Sequence, residues 1–321
     1  MQQVDPFDPS RLAPDVLAVV AGMAASGAPA LETLPIPAMR QAYQQIGGLL
    51  GGEALPVAQV RDLVADGPAG PIPLRSYLPA ATAPVAQAAI VYLHGGGWTV
   101  GGLDSHDKVC RRLALAAGCT VVSVGYRLAP EHPAPAGPQD AVAAIRWLAA
   151  HAGELGLDAQ RLAVAGDSAG GSLAAVACQQ LRGDVELRAQ VLFYPSTDLS
   201  PAAREFPSRR ENGAVPPLTL AAMQALSETF VAGFDTQDPR LSPLRASDLG
   251  GLPPALIYAG ACDVLRDDGR RYADALRAAG GEVEYVELSG MVHGFVEMAG
   301  VLPAAVQAIE EAGAFLRARL A

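Results

Sequence analysis

The chain has 321 residues, with 23 Lys and Arg against 33 Asp and Glu, for a formal net charge of −10. Half of the residues are hydrophobic and 17% are charged, which excludes a disordered chain and leaves no basic stripe for a phosphate backbone, so nucleic acid is not a predicted partner. The mean hydropathy of +0.22 is inflated by alanine, and no uninterrupted apolar run reaches the ~18 residues of a membrane span.

In chain order, Met1-Gln2-Gln3-Val4-Asp5 carries no basic n-region, so a soluble, cytoplasmic protein without a secretory leader is expected. Residues 1–50 hold two helical patterns and no strand; Leu12, Val16, Val19, Val20 and Met23 recur at helical spacing and need a surface to bury against. From residue 88 onward, short apolar runs alternate with helical ones. Strands are predicted at 88–93, 120–124, 162–165, 191–194, 255–258 and 283–286. Helices are predicted at about 108–117, 139–150, 171–181, 269–279 and 303–320. Continuous apolar strands separated by helices mean βαβ units, and so an α/β fold with a mostly parallel sheet covered on both faces.

Residues 197–240 break that rhythm with Pro, Arg and Asn-Gly clusters, then a helical run over 218–231. The expected organisation is a catalytic domain of residues 51–196 and 241–321. Residues 1–50 and the insertion 197–240 form a small cap over the sheet's carboxyl edge, where open α/β sheets bind ligands. The four cysteines, Cys110, Cys119, Cys178 and Cys262, form no C-x-x-C pair and read as free structural thiols. His106-Asp107 near Cys110 is the one cluster with a hint of metal-ligand spacing; lacking a second histidine, it is rejected, and no metal is expected.

The chemistry centres on Gly166-Asp167-Ser168-Ala169-Gly170-Gly171, a G-x-S-x-G turn between a strand and a helix. Glycines are needed where the turn is too tight for side chains. Such a turn exposes the Ser168 hydroxyl beside a helix N-terminus, which favours developing negative charge. His94-Gly95-Gly96-Gly97 follows an earlier strand, and Gly97 precedes Ser168 by 71 residues. It matches the oxyanion-hole loop that accompanies this type of elbow. No dinucleotide or Walker glycine pattern is present.

Of five histidines, only His293 follows Ser168, and the chain order Ser, acid, His makes it the candidate base. His94 belongs to the glycine loop, His132 to a Pro-rich loop, and His106 and His151 to helix ends. The acid is expected after the strand at 255–258. Asp263 is nearest its end; Asp267 is the reserve, although Asp267 and Asp268 look like first-turn residues of the next helix.

These motifs, with Tyr126-Arg127-Leu128-Ala129-Pro130-Glu131-His132-Pro133 and His293-Gly294-Phe295, resemble the hormone-sensitive-lipase-like group of α/β-hydrolase esterases, bacterial family IV. The resemblance spans about residues 91–295. It implies an eight-stranded sheet, a helical cap and cofactor-free hydrolysis of short-chain carboxylic esters. It also implies a Ser168–Asp263–His293 triad, oxyanion N–H groups from Gly96, Gly97 and Ala169, and a shaping role for Gly95. The group's usual Asp-Pro is Asp263-Val264 here, so a looser acid loop is expected. A small-molecule ester is the expected partner, and a homodimer is an open expectation. An amidase or peptidase on the same fold, and a non-catalytic ligand-binding protein, are the competing readings.

Overall fold

The computed structural model describes residues 3–80 and 86–321; Met1 and Gln2, which begin the stretch read above for a leader, lie outside them. Two helices come first, α1 (Pro14–Ala25) and α2 (Ile36–Leu50). Each carries proline in its first turn, where a missing N–H costs nothing. A hairpin of β1 (Gln59–Gly67) and β2 (Gly70–Leu78) follows. Alternation then begins with β3 (Gln87–Leu93), α3 (Asp107–Ala117), β4 (Thr120–Val124), α4 (Ala136–Ala150), β5 (Leu157–Asp167), α5 (Ala169–Gln180) and β6 (Leu187–Phe193). The insertion contributes α6 (Pro207–Glu211) and α7 (Leu220–Val231). The chain closes with β7 (Ala255–Gly260), α8 (Arg266–Ala278), β8 (Val283–Leu288) and α9 (Pro303–Leu320).

The strands form one eight-stranded sheet in the order β1-β2-β4-β3-β5-β6-β7-β8. β2 pairs antiparallel with β1 and with β4, and every other pairing is parallel. The strands with apolar runs match the sequence reading; the hairpin was not read, and only the eight-stranded sheet that the resemblance implies called for two further strands. The physical reason lies in the hairpin's exposure. β1 is the edge strand and buries only Ala65, so no apolar run marks it. β2 carries Pro71 and Pro73, which argue against a central strand. Of β2, only Leu74 to Tyr77 pair with β4, and Gly125, just past β4, donates its N–H to Pro73 O at 2.8 Å. The proline's missing N–H therefore faces the side where β4 has already ended.

Two hydrophobic clusters cover the sheet. β3 sends Ala88, Ile90 and Tyr92 into one and Ala89, Val91 and Leu93 into the other, which is why it reads as an unbroken apolar run. α1, α3 and α9 pack on the first face, and α4, α5 and α8 on the second. The α1 stripe has found its surface. Val16 and Val20 are buried with Tyr92, Met291 and Val292, while Val19 and Met23 lie partly buried against the same cluster. All four cysteines are buried and unpaired. No described helix is long and apolar enough to cross a membrane.

The parallel pairing brings the loops after β3, β5, β7 and β8 to one edge of the sheet, where the functional residues collect. Val16 is 0% exposed and Leu17 is 38% exposed, which separates two neighbouring substitutions. Val16→Asp is expected to lower unfolding free energy by about 3–5 kcal/mol, as an uncompensated buried charge does, and Leu17→Asp by under about 0.5 kcal/mol. Urea denaturation monitored by circular dichroism measures both.

Candidate active site

β5 ends at Asp167 and α5 begins at Ala169, leaving Ser168 alone at the corner with φ 53° and ψ −118°. A side chain in that left-handed region is strained, and the surroundings hold it there. The Ser168 N–H donates to Phe193 O at 2.9 Å. The flanking glycines are required by backbone contact: a Cβ on Gly166 would lie 2.5 Å from Gly170 O, and one on Gly170 would lie 2.0 Å from Leu93 O.

His293 reaches this corner from the loop after β8. Its Nε2 lies 2.9 Å from Ser168 Oγ, and its Nδ1 lies 2.8 Å from Asp263 Oδ2. The other Asp263 oxygen accepts the Leu265 N–H at 2.8 Å, so the carboxylate is held at both ends. Asp267 does not face the histidine. It pairs with Arg266 at 2.9 Å and accepts the Ser208 N–H at 2.9 Å, as a first-turn residue of α8. Burial alone would lower the His293 pKa; Asp263 beside it outweighs that and holds it above its ordinary 6.5.

Of the other histidines, His94 and His151 are occupied. His94 stacks on Tyr126 with ring centroids 4.2 Å apart, and burial drives its pKa down to about 3, so it stays neutral. His151 caps α4, with Nδ1 2.8 Å from Trp147 O. His132 is exposed.

The acid loop corrects one expectation. Losing the proline after Asp263 was expected to loosen it, yet side chains of the insertion pin its carbonyls. Asn212 Nδ2 donates to Asp263 O at 2.8 Å and to Ala261 O at 3.1 Å. Ser208 Oγ and the Arg209 guanidinium both donate to Val264 O. Arg209 is buried, its charge facing Asp268 at 2.7 Å. Neither α6 nor these anchors was read from the sequence, because a five-residue helix has too little periodicity to register.

The glycine loop curls beside the serine. Gly96 and Gly97 have φ of 115° and 56°, and their N–H groups, like that of Ala169, take no part in the loop, turn or cap hydrogen bonds of the described residues. The segment after β4 braces this loop from behind: Tyr126 OH donates to His94 O at 2.7 Å, and the Ala129 N–H to Trp98 O at 2.9 Å. Arg40 of α2 ties the two together, donating to Thr99 O and Ala129 O and pairing with Glu131 at 2.6 Å.

His106, set aside with Asp107 and Cys110 for want of a second histidine, meets residues from elsewhere in the fold: its ligand-type atom and those of Asp167 and Glu297 lie within 4.8 Å of one another. Asp167 had been read only as the variable residue of the elbow. A carboxylate directly after a buried apolar strand was the available signal, since such a charge demands a partner.

The α/β-hydrolase-fold family matches residues 90–297. An esterase, LipI, of Mycobacterium tuberculosis is 47% identical over 258 residues, covering 79% of this chain and 80% of its own. The chain belongs to the hormone-sensitive-lipase-like group of α/β-hydrolase esterases. That places this esterase among carboxylic ester hydrolases. An ethyl acetate hydrolase of Pseudomonas putida is 39% identical to it, covering 91% of this chain and 94% of its own. An ester-hydrolase from the metagenome of Lake Arreo, solved with a bipyridine phosphonate derivative, superposes with a TM-score of 0.91 at 41% identity, covering 96% of this chain and 98% of its own.

Two outcomes follow from this geometry. A protonated His293 cannot accept the Ser168 proton, so kcat/KM is expected to fall on acidification with a midpoint above about 6.5, read from a pH–rate profile on a soluble ester. Asn212→Leu leaves the carbonyls of Ala261 and Asp263 without their side-chain donor. It is expected to lower unfolding free energy by about 1–3 kcal/mol in urea denaturation, with kcat falling more than KM rises.

Proposed function

We propose that this esterase hydrolyses short-chain carboxylic esters through an acyl-enzyme on Ser168. The observation that carries the reading is the continuous relay of 2.9 Å and 2.8 Å from Ser168 through His293 to Asp263, on a strained elbow at the sheet's carboxyl edge. Ser168 Oγ attacks the ester carbonyl while His293 Nε2 takes its proton; Asp263 fixes the imidazole's orientation and stabilises its charged form. The tetrahedral oxyanion is received by the N–H groups of Gly96, Gly97 and Ala169, each contributing about 3 kcal/mol. Collapse breaks the bond to the alkoxy group, which leaves with the proton from His293. Water, deprotonated in turn by His293, then splits the acyl-enzyme. The proton transfers close within the triad, so the proposed reaction calls for no cofactor or metal.

The cap is part of the same proposal: residues 1–50 and the insertion together roof the site. Leu226 of α7 lies directly over Gly97, and Phe230 stacks on Trp98 with centroids 4.4 Å apart. The short helix Leu31–Thr33 of the N-terminal segment lies against α7, so the two segments meet above the glycine loop. Four unpaired thiols are in keeping with a cytoplasmic setting. The unpaired edge of β8 leaves room for a homodimer that continues the sheet. An amidase is the less favoured alternative, since the relatives named above act on esters.

Ser168→Ala is expected to lower turnover of p-nitrophenyl butyrate by at least about 10⁴-fold with the far-ultraviolet spectrum unchanged. An organophosphate should label Ser168 of the wild type alone. Asp263→Asn is expected to cost about 10⁴-fold in kcat, and Asp267→Asn less than about 10-fold. Steady-state kinetics across the acetate-to-laurate series reads these effects and the acyl-length limit together; wild-type turnover retained by Ser168→Ala would end the nucleophile reading.

A further inference from the structure

Beneath the glycine loop lies a second histidine–carboxylate constellation that the proposed reaction does not use. His106 stands at the start of α3, Asp167 directly before Ser168, and Glu297 four residues after His293. His106 and Asp167 are wholly buried, and the Glu297 side chain is 15% exposed. Asp167 Oδ1 accepts the Gly95 N–H at 2.9 Å and Tyr92 OH at 2.8 Å. His106 Nε2 lies 3.2 Å from that same oxygen and 3.6 Å from Glu297 Oε2. Tyr43 of α2 donates to Glu297 Oε1 at 2.8 Å.

The carboxylates around the ring favour its charged form. Ser105 Oγ lies 2.8 Å from His106 Nδ1 and 3.0 Å from Gly102 O, and its one proton serves either; the Gly95 N–H, bonded to Asp167 Oδ1, also lies 3.3 Å from His106 Nε2. That same Nε2 faces Asp167 and Glu297, and two carboxylates beside one ring nitrogen favour the imidazolium. In keeping with this, although burial alone would lower it, Asp167 and Glu297 raise the His106 pKa to about 9. Burial would likewise raise Asp167, but His106 and Tyr92 keep it below the usual carboxylate range. Burial pushes Glu297 upward.

Buried ion pairs are weak sources of stability, since desolvation offsets their attraction. This pair performs a further task. Gly95 has no side chain, and a Cβ there would lie 2.2 Å from Asp167 Oδ2, so the carboxylate sits against the peptide that leads into Gly96 and Gly97. A lone carboxylate so near the oxyanion donors would repel the charge they must receive; an adjacent imidazolium cancels that field.

We propose that His106, Asp167 and Glu297 are positioning residues for the oxyanion loop: Asp167 orients the Gly95 peptide, His106 neutralises Asp167, and Glu297 links both to the loop that bears His293. This rests on the ester-hydrolysis reading above. The groups facing His106 are Asp167, Glu297, Ser105, His94, Tyr43 and Tyr92, and Glu297 also faces the field of His293.

The test is steady-state kinetics of Asp167→Ala, Asp167→Asn, His106→Gln and Glu297→Gln between pH 6 and 10.5, beside affinity for a boronic acid that mimics the tetrahedral intermediate. Asp167→Ala is expected to lower kcat roughly 10²-fold with KM changed less than about threefold, and to weaken the boronic acid by the same factor as kcat/KM. Asp167→Asn, which keeps an acceptor for Gly95, should recover part of that loss. Wild-type kcat should fall above about pH 9 as His106 loses its proton. His106→Gln should lack that alkaline limb, and Glu297→Gln should move it to lower pH. If Asp167→Ala does not fold, the limb and its absence in His106→Gln still decide the matter. Variants that lose only thermal stability, with kcat, boronic-acid affinity and pH profile as in the wild type, overturn the proposal. Should Ser168→Ala remain active, the reaction itself has been misassigned; should it be inactive while this series is silent, only the positioning role fails.

Discussion

The site depends on how closely the carboxyl ends of β3 and β5 approach each other. Gly170 presses against Leu93 O, Gly166 against Gly170 O, and Gly95 against the Asp167 carboxylate, with no room for a Cβ at any of these positions. Parallel pairing of β3 with β5 runs from Ala89–Leu162 to Leu93–Gly166 and delivers both ends at the same height. The elbow and the glycine loop are therefore packed backbone on backbone, and Ser168 has no freedom to relax out of its left-handed conformation. Rigidity of this kind suits a site whose donors must point at charge that exists only in the transition state.

Around that contact the protein buries two carboxylates, each faced by a histidine. Asp263 meets His293, which reaches the serine hydroxyl; Asp167 meets His106, which does not. Both carboxylates are nearly inaccessible, and an apolar residue would be less costly to bury at either position. The desolvation is offset by orientation, of an imidazole in one case and of a peptide in the other. The two constellations also sense each other, since Asp167 and Glu297 add to the field that favours protonated His293.

The segments outside the alternating core reach into the same region. α6 supplies Ser208 and Arg209, and the residue after it, Asn212, joins them on the carbonyls of the acid loop, doing with side-chain hydrogen bonds what a proline ring would do by restricting φ. α2 supplies Arg40 to the glycine loop and Tyr43 to Glu297. α1 buries its stripe on the sheet face that carries Met291 and Val292, next to His293. These segments are thus tied to the loops of the site.

Much of this was legible in the amino-acid order. Strands buried on both faces must be apolar throughout, so the buried runs of β3 to β7 announced themselves, and with them the parallel sheet, while the half-exposed edge strand β8 showed only the short run 283–286. Ser168 was legible because a strand–turn–helix with glycines on both sides has few other uses, His293 because only one histidine follows it, and Asp263 because it lies nearest the end of its strand. What escaped was whatever lacks an apolar run to mark it or depends on contact between distant segments. The β1–β2 hairpin is exposed at the edge and carries prolines, so its pairing has no local signature. His106, Asp167 and Glu297 lie 61 and 130 residues apart along the chain, and nothing in the neighbours of any one names the others. Local sequence determined the elements, the candidate nucleophile and the order of the residues that meet it, because periodicity and turn chemistry act over a few residues. Only the tertiary structure decided which buried charges meet and what braces the acid and glycine loops, because burial and pairing of charge are set by the packing of the whole chain.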